Sequence, residues 1–406
     1  MNLTAFIAQR ITFKSKRTFS RLSVRIAILG IMLSLSVMIL AVAVVKGFKT
    51  EIREKIRGFS GDIILLKYDL NSSVENSPFI LDADTLQKLT KLSEVEYLQP
   101  YAVKPGIINT ENEVEGVFFK GVDKAYHWDF FKRILVKGRV IDFKDSLQAG
   151  KEILISRFIA NRLKLDVGDD FIMYFVQESP RRRKFNIVGI YELGVEEVDK
   201  AYVMGDLSII KRLNTWRDNE VGGYEIRVKD FTQLENTTSK VADTISYKLR
   251  AFSIVDWYKT IFDWLSLLDV NTQVILALML SVGVINMISA LLIIILERTN
   301  MIGILKALGS SNWDIQKIFL SNAAYLIGLG LLLGNVLGVG LALLQIYTHL
   351  FKLEQAAYYM SFVPVQLEWM DILLLNVGTL IICLLVLIIP SMLVSRISPV
   401  KAIAFK

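Results

Sequence analysis

The chain has 406 residues, of which 53% are apolar and 21% are charged, and its mean hydropathy is +0.43. That composition is too apolar for an ordinary soluble enzyme and too charged for a protein that lies wholly in lipid, so we expect membrane spans combined with a water-exposed domain. The net charge of +7 and the single cysteine, Cys383, give no reason to invoke nucleic acid as a partner or a disulfide framework.

The N-terminal region combines a basic leader with a first apolar run. Residues 1–25 carry six Arg or Lys and no acidic residue, and we expect an interfacial helix on the cytoplasmic side. The run that follows predicts a first span at 26–46, because it is long enough to cross a bilayer core. Ala41-Val42-Ala43 also fits a signal-peptide cleavage site, but the basic leader is long for one, so we expect the span to remain.

A long segment without spans follows and ends near residue 267. Its start, GFKTEIREKIR, predicts a helix that extends the first span. Residues 47–123 and 223–267 each show a strand, a helix and then further strand, which we interpret as two halves of a β-α-β repeat. The length of the segment suffices for two small domains with cores of their own.

The two halves flank a strand-rich insertion at 124–222. Within it, Phe171 to Val176 and Phe185 to Tyr191 are predicted to pair as a hairpin. The predicted hairpin tip, residues 178–184, reads ESPRRRK and carries four consecutive cations. Such a tip is either a solvated turn or a contact for an acidic partner or a lipid headgroup.

Three further spans are predicted, at 268–296, 318–350 and 372–395, with a short outer loop at 351–371 and a tail at 396–406. The connector 297–317 lies between the second and third spans. In it, Met301, Ile304, Leu305 and Leu308 fall at helical spacing, and Gly309 is placed to end the helix. This short amphipathic helix is either a loop helix on the membrane surface or a docking helix for a separate motor protein.

The distribution of charge predicts the orientation. The connector carries three basic and two acidic residues and the tail adds three basic ones, whereas the short outer loop is acidic on balance. Together with the basic leader, this pattern predicts that both termini and the connector are cytoplasmic and that the large segment lies outside.

No catalytic motif accompanies this architecture. The sequence has no G-x-x-x-x-G-K-[ST], no H-E-x-x-H and no G-x-S-x-G. Its two histidines, His127 and His349, lie in different segments without companions at metal-ligand spacing, so we interpret both as ordinary polar residues. We therefore expect no catalytic activity and no bound cofactor, and an energy source in another protein.

Several motifs in the sequence resemble those of one protein family. They are Gly47-Phe48 with Glu51, Lys120-Gly121-Val122-Asp123, Phe185 to Gly189, Asn286, the connector E-R-x3-I-G-I-L-K-A-L-G, and Pro390 through Pro399 with Ala402 and Ile403. Together with the order of spans, they resemble the FtsX-like permeases of ABC transporters over essentially the whole chain. More narrowly, the chain resembles the lipoprotein-releasing, Lol-type permeases.

The resemblance implies a fold class and an activity. The implied fold is an α-helical protein with four transmembrane helices plus a large α+β periplasmic domain. The implied activity is extraction of lipoproteins from the outer leaflet of the bacterial inner membrane and delivery to a periplasmic carrier. The implied partners are an ABC ATPase dimer that binds ATP and Mg, and a second permease that is either another copy or a paralogue.

Two sets of site residues follow from this interpretation. The expected ATPase-coupling set comprises Glu297, Met301, Gly303, Ile304, Leu305, Lys306, Leu308 and Gly309, with Glu297 and Lys306 at the rim of the contact. Acyl chains removed from a bilayer need another apolar surface, and the expected lipid-cavity set comprises Met38, Ala41, Val44, Val45, Leu268, Thr272 and Ile275. The same residues could equally be plain lipid-facing side chains.

Two alternatives remain open. The first is a MacB-like mechanotransmission permease for efflux, which would dock an outer-membrane tunnel. The second is an FtsX-like signalling scaffold that activates a cell-wall hydrolase, although that class resembles a smaller outer domain. Recruitment of the carrier also stays open, because the predicted hairpin is shorter than the extension that serves this purpose in one member of the family's subunit pair.

Overall fold

The computed structural model describes residues 18–69, 75–110, 113–177, 180–353, 360 and 362–397. The expected interfacial helix at 1–25 and the tail at 396–406 lie mostly outside these residues. The described chain forms two compact units. The helical unit comprises the described residues of Met1–Lys49, Trp264–Lys352 and Phe362–Lys406, and the sheet unit comprises those of Thr50–Asp263 and Leu353–Ser361.

The first element is a single helix, α1, from Thr18 to Ser60. The predicted span at 26–46 and the predicted extension that follows it are therefore one unbroken helix, as expected for a segment without proline. The helix stops at Gly61, which has a φ of +72° and whose N–H bonds the carbonyl of Arg57 at 2.9 Å. A glycine at this position ends the helix without steric cost.

The sheet unit contains ten strands and eight short helices. In chain order these are β1 (Ile63–Lys67), α2 (Ala83–Thr90), β2 (Val95–Asn109), β3 (Val114–Val122), α3 (Asp129–Ile134), β4 (Leu135–Gly138), α4 (Ser146–Ala149), β5 (Glu152–Ser156), α5 (Arg157–Leu163), β6 (Asp170–Phe175), β7 (Arg181–Tyr191), α6 (Glu196–Asp199), β8 (Tyr202–Asp206), α7 (Leu207–Asn214), β9 (Gly223–Val228), α8 (Leu234–Thr244), β10 (Leu249–Ser253) and α9 (Ile254–Trp257).

The two predicted β-α-β halves are present but interleaved. Their five strands lie in the order β10-β1-β9-β2-β3, and each neighbouring pair is antiparallel. Strand β9 of the second half thus fills the gap between β1 and β2 of the first, which is the arrangement of a split β-α-β fold. The strands of the two halves therefore form one sheet together.

The insertion continues the same sheet from β3 through β8, β5 and β7 to β4. The predicted hairpin is confirmed as β6 and β7, with Phe171 opposite Phe185. The placement of its four cations was wrong, because residues 181–184 belong to strand β7 and pair with β6 instead of forming the turn. All four side chains are exposed.

The helical unit adds five helices: α10 (Lys259–Glu297), α11 (Thr299–Ala307), α12 (Asn312–Thr348), α13 (Trp369–Ser391) and α14 (Leu393–Arg396). Within the described residues, four helical segments are long and apolar enough to cross a membrane. Three of them contain a predicted span completely, whereas α12 ends at Thr348, two residues before the predicted end of the third span. Helix α12 begins at Asn312, inside the predicted connector 297–317, and α13 begins at Trp369, inside the predicted loop 351–371.

Glycines let α12 approach α1 closely. A Cβ atom at Gly330 would lie 2.7 Å from Cβ of Ile31, and one at Gly334 would lie 3.0 Å from Cβ of Leu35. Small residues four apart are a common device for packing helices in lipid, where van der Waals contact replaces the hydrophobic effect. This contact places α1 and α12 side by side in the core of the helical unit.

Candidate functional site

The connector helix α11 has well-defined ends. It follows α10 after a break at Arg298 and stops at Gly309, which has a φ of +91°. The N–H of Ser310 bonds the carbonyl of Leu305 at 3.0 Å, and the N–H of Gly309 bonds that of Lys306 at 3.0 Å. This pair of bonds is a Schellman motif, so Gly309 ends the helix as its sequence position predicts.

The predicted coupling residues divide between two faces of α11. Ile304 and Leu308 are 52% and 78% exposed. Met301 and Leu305 are partly buried and pack against the core of the helical unit, while Ile302 and Gly303 are buried completely. The outward face available to a partner is therefore a stripe that contains Ile304 and Leu308.

Trp313, five residues after Leu308, is a further exposed apolar side chain, and the sequence analysis missed it. It lies in the first turn of α12, after the cap that Ser311 forms by accepting from the N–H of Asp314 at 3.1 Å, and it is 53% exposed. A tryptophan on the exposed first turn next to the connector is the signal that could have identified it, since aromatic anchors dominate protein contacts.

The two residues expected at the rim have different surroundings. Glu297 is the last residue of α10 and is half-buried. Lys306 is partly exposed, and its Nζ lies 2.7 Å from the carbonyl oxygen of Val394 and 2.8 Å from that of Ile397. The ammonium group of Lys306 is thus bonded to the end of the fourth membrane-length helix, and its place at the rim of an ATPase contact stays a prediction.

The expected lipid-cavity residues do not share one surface. Met38 and Thr272 are buried in the interior, and the hydroxyl of Thr272 bonds the carbonyl of Leu268 at 2.8 Å. Ala41, Val44, Val45 and Leu268 are half-buried, and Ile275 is exposed. Only the half-buried and exposed members remain available to contact lipid from this chain.

A charged cluster lies where α1 meets the start of α13. Lys46 Nζ is 2.6 Å from Oε2 of Glu368 and 2.6 Å from Oδ2 of Asp371. The next residue, Gly47, packs so closely that an added Cβ would lie 2.5 Å from the carbonyl oxygen of Pro364. The Gly47-Phe48 motif therefore has a packing role, because only glycine fits at this contact.

The sheet unit contains a cavity of about 440 Å³. Its walls include the aromatic rings of Phe59, Tyr101, Tyr202, Phe252, Trp257 and Tyr258. On its floor, Lys120 Nζ lies 2.6 Å from Oε1 of Glu225, and Gln99 donates to the other carboxylate oxygen at 3.1 Å. Burial lowers the pKa of Lys120, and Glu225 opposes that shift. The negative charge of Glu225 is thus balanced by Lys120, which suits a structural ion pair better than a group that transfers protons.

One buried carboxyl group in the sheet unit has a raised pKa. Burial raises the pKa of Asp199 to about 6, although the N–H groups of Gly194 and Leu193 oppose the shift. These two N–H groups donate to its carboxylate oxygens at 2.7 and 3.1 Å. Asp199 therefore holds the loop before α6, and its main-chain carbonyl accepts from the hydroxyl of Ser156.

No metal centre is formed by the described residues, among which no group of three or more His, Cys, Asp or Glu could hold an ion. His127 stacks on Tyr97 with ring centroids 4.0 Å apart, and His349 stacks on Phe362 at the same distance. Both histidines thus have aromatic neighbours that account for their positions.

Comparison with known proteins identifies the family. Residues 26–244, more than half of the chain, match the family model described as a MacB-like periplasmic core domain. Residues 273–399 match the model described as FtsX-like permease C-terminal. The chain belongs to the FtsX-like permeases with a MacB-like periplasmic core domain. In this permease, the FtsX-like part thus contains the connector α11, the helices α12 and α13, and α10 from residue 273 onward.

Three relatives show how far the likeness extends. The lipoprotein-releasing system transmembrane protein LolC of Xylella fastidiosa is 22% identical over 407 residues, which cover 94% of this permease and 93% of that protein. LolE of Haemophilus influenzae is 21% identical over 424 residues and covers 100% of both chains. The macrolide export ATP-binding/permease protein MacB of Nitrobacter winogradskyi is 26% identical over 257 residues, but these cover 57% of this permease and only 37% of MacB.

Proposed function

We propose that this permease is the transmembrane subunit of an ABC transporter that extracts lipoproteins from the outer leaflet of the inner membrane and passes them to a periplasmic carrier. The observation that carries the proposal is the end-to-end similarity to LolC and LolE, which covers 94% to 100% of this chain. We place both termini in the cytoplasm, since the basic residues concentrate in the leader, connector and tail.

The energy comes from a separate ATPase dimer, which binds ATP and Mg, and this chain is the non-catalytic subunit. The absence of a phosphate-binding motif from the sequence supports that division of labour. The outward stripe with Ile304 and Leu308, together with Trp313, suits a helix-in-groove contact with the motor. Apolar anchors of this kind provide affinity, and charged residues around them set orientation.

The lipid path runs along the apolar surfaces of α1 and α10. Each buried methylene is worth about 0.8 kcal/mol, so several acyl chains leave a bilayer only if another apolar surface receives them. Ala41, Val44, Val45 and Ile275 offer such a surface. A second permease, either a copy of this chain or a paralogue, would close the cavity around the acyl chains. Recruitment of the carrier is not assigned to this subunit, because its β6–β7 hairpin is short.

The proposal is tested on the complex extracted in mild detergent and then reconstituted in proteoliposomes. We expect mass spectrometry to find a triacylated lipoprotein and an ATPase bound to the permease, and we expect ATP to release that lipoprotein to added carrier. A nonhydrolysable ATP analogue provides the matched control and should give no release. A complex that carries no lipoprotein and releases none with ATP would contradict the proposal.

A mechanotransmission role in efflux is the second candidate, and the match to the MacB-like periplasmic core domain favours it. The partial similarity to MacB counts against it, because the match covers little more than a third of that protein. The same mass spectrometry experiment separates the two, since an efflux role predicts a co-purifying outer-membrane tunnel in place of a lipoprotein.

A further inference from the structure

The side chain of Lys306 joins the connector helix to the end of the fourth membrane helix. Its Nζ lies 2.7 Å from the carbonyl oxygen of Val394, 3.2 Å from that of Ser395 and 2.8 Å from that of Ile397. A lysine ammonium group has three donors, and here all three find an acceptor. The contact spans about 90 positions of sequence and is made entirely to the main chain.

The acceptors are three main-chain carbonyls at a helix end, of which that of Val394 also accepts from the N–H of Ile397 at 3.4 Å. The last carbonyls of a helix have no intrahelical partner, and a cation beside them is favoured both by hydrogen bonding and by the helix dipole. The segment Trp369–Arg396 forms the fourth of the membrane-length helical segments, and Lys306 caps its cytoplasmic end. The side chain of Val394 is completely buried, the bonds of Lys306 to the carbonyls of Val394 and Ile397 are partly buried, and the bond to that of Ser395 is exposed.

Apolar packing joins α11 to the same part of the molecule. Ile302 is completely buried, and Leu305 packs against the core that also contains Val394. The inward face of α11 is therefore fixed by packing, and the neighbouring Lys306 adds hydrogen bonds that packing alone lacks. The outward face, with Ile304 and Leu308, remains free to meet a partner.

We propose that Lys306 is a positioning residue that ties α11 to the end of the fourth membrane helix, so that displacement of α11 by the motor moves α13 and α14 as well. The inference rests on the proposed function in that α11 is the element on which the ATPase acts. Two helices held by apolar contacts alone can slide past each other. Hydrogen bonds from Lys306 to three carbonyls fix the position of α11 relative to the end of α14.

The test compares Lys306→Met with wild type in the complete complex. Methionine keeps most of the aliphatic length and removes every donor. We expect hydrogen exchange of the amides at 393–397 to become more than tenfold faster, since losing one hydrogen bond to a charged group already corresponds to about tenfold and this variant loses three. ATPase pull-down and basal ATP hydrolysis should stay at wild-type levels, and lipoprotein released per ATP hydrolysed should fall several-fold.

Lys88→Met is the matched control, because Lys88 is an exposed lysine of α2 in the sheet unit and lies outside the motor contact proposed for α11. It should match wild type in every assay. If Lys306→Met fails to accumulate, Lys306→Arg retains a cation with several donors and should exchange at the wild-type rate at 393–397.

Three results would overturn the inference. The first is wild-type exchange at 393–397 together with wild-type release per ATP in Lys306→Met. The second is loss of ATPase pull-down in that variant, which would place Lys306 in the motor contact. The third is fast exchange in Lys306→Arg. Exchange and pull-down do not depend on the cargo, so a wild-type complex that releases no lipoprotein would refute the proposed function while these two measurements still decide the role of Lys306.

Discussion

The buried ion pair of the sheet unit allows the sharpest test of its folding energetics. Lys120 and Glu225 are 2% and 3% exposed at their side chains, and their charged atoms are 2.6 Å apart. Lys120 also donates to the carbonyl of Phe59 at the end of α1, and Gln99 donates to Glu225. The pair thus connects α1 with strands β2, β3 and β9.

Removing one partner should cost far more than removing both. Lys120→Met leaves a buried carboxylate without its cation, and breaking a buried pair in this way costs about 3–5 kcal/mol. A typical domain is stable by only about 5–15 kcal/mol, so the loss would be a large part of the total. The double variant Lys120→Met with Glu225→Gln removes the unpaired charge, and we expect it to recover most of the loss.

Native-state hydrogen exchange in the full-length protein provides the assay, because amides of central strands open only with global unfolding. Protection at β1 and β9 gives the free energy of unfolding of the sheet unit for each variant. A loss below about 1 kcal/mol in Lys120→Met would place the pair in the range of surface ion pairs and refute the reasoning. A double variant no more stable than the single one would refute it as well.

Two further predictions concern packing and pH. Gly47→Ala should destabilise the helical unit by about 1–3 kcal/mol, because its Cβ would meet the Pro364 carbonyl. The control variant Gly340→Ala, where a Cβ meets no atom within 4 Å, should be neutral. Equal melting temperatures of the two variants in detergent would count against this prediction. The pKa of Asp199 rises from 3.8 to about 6 on folding, so its contribution to stability is complete below pH 3.8 and is lost as pH rises to about 6. Relative to Asp199→Asn, the sheet unit should therefore lose roughly 3 kcal/mol over that window, and a difference that does not change with pH in urea unfolding would rule this out.

Local patterns predicted most of the elements but not how the strands pair. The strand at 62–66 and the hairpin of β6 and β7 follow from alternation and turn residues close in sequence. The insertion of β9 between β1 and β2 depends on contacts across more than 120 residues, for which a sequence pattern carries no signal. The same limit applies to Gly330 and Gly334, because these glycines matter only through the close approach of α1, which is far away in sequence.

At the candidate site, too, local features could be predicted from the sequence and long-range contacts could not. Gly309 was predictable because a helix end is a local event. The faces of α11 were not, because Met301, Ile302, Ile304 and Leu305 are apolar nearly all round the helix, and packing alone decides which of them turn inward. The role of Lys306 was hidden for another reason, since its acceptors are main-chain carbonyls that no side-chain pattern marks.

Docking of an ATPase on the outward face of α11 is the central claim, and Leu308→Asp tests it most directly. Leu305 is less suitable because it packs inward. Leu308 is 78% exposed, and Leu147 in the sheet unit, at 80%, is its matched control. A carboxylate buried unpaired in the motor groove should cost several kcal/mol, so Leu308→Asp should lose ATPase pull-down and ATP-dependent lipoprotein release while Leu147→Asp keeps both. Undiminished pull-down with full release in Leu308→Asp would contradict the account.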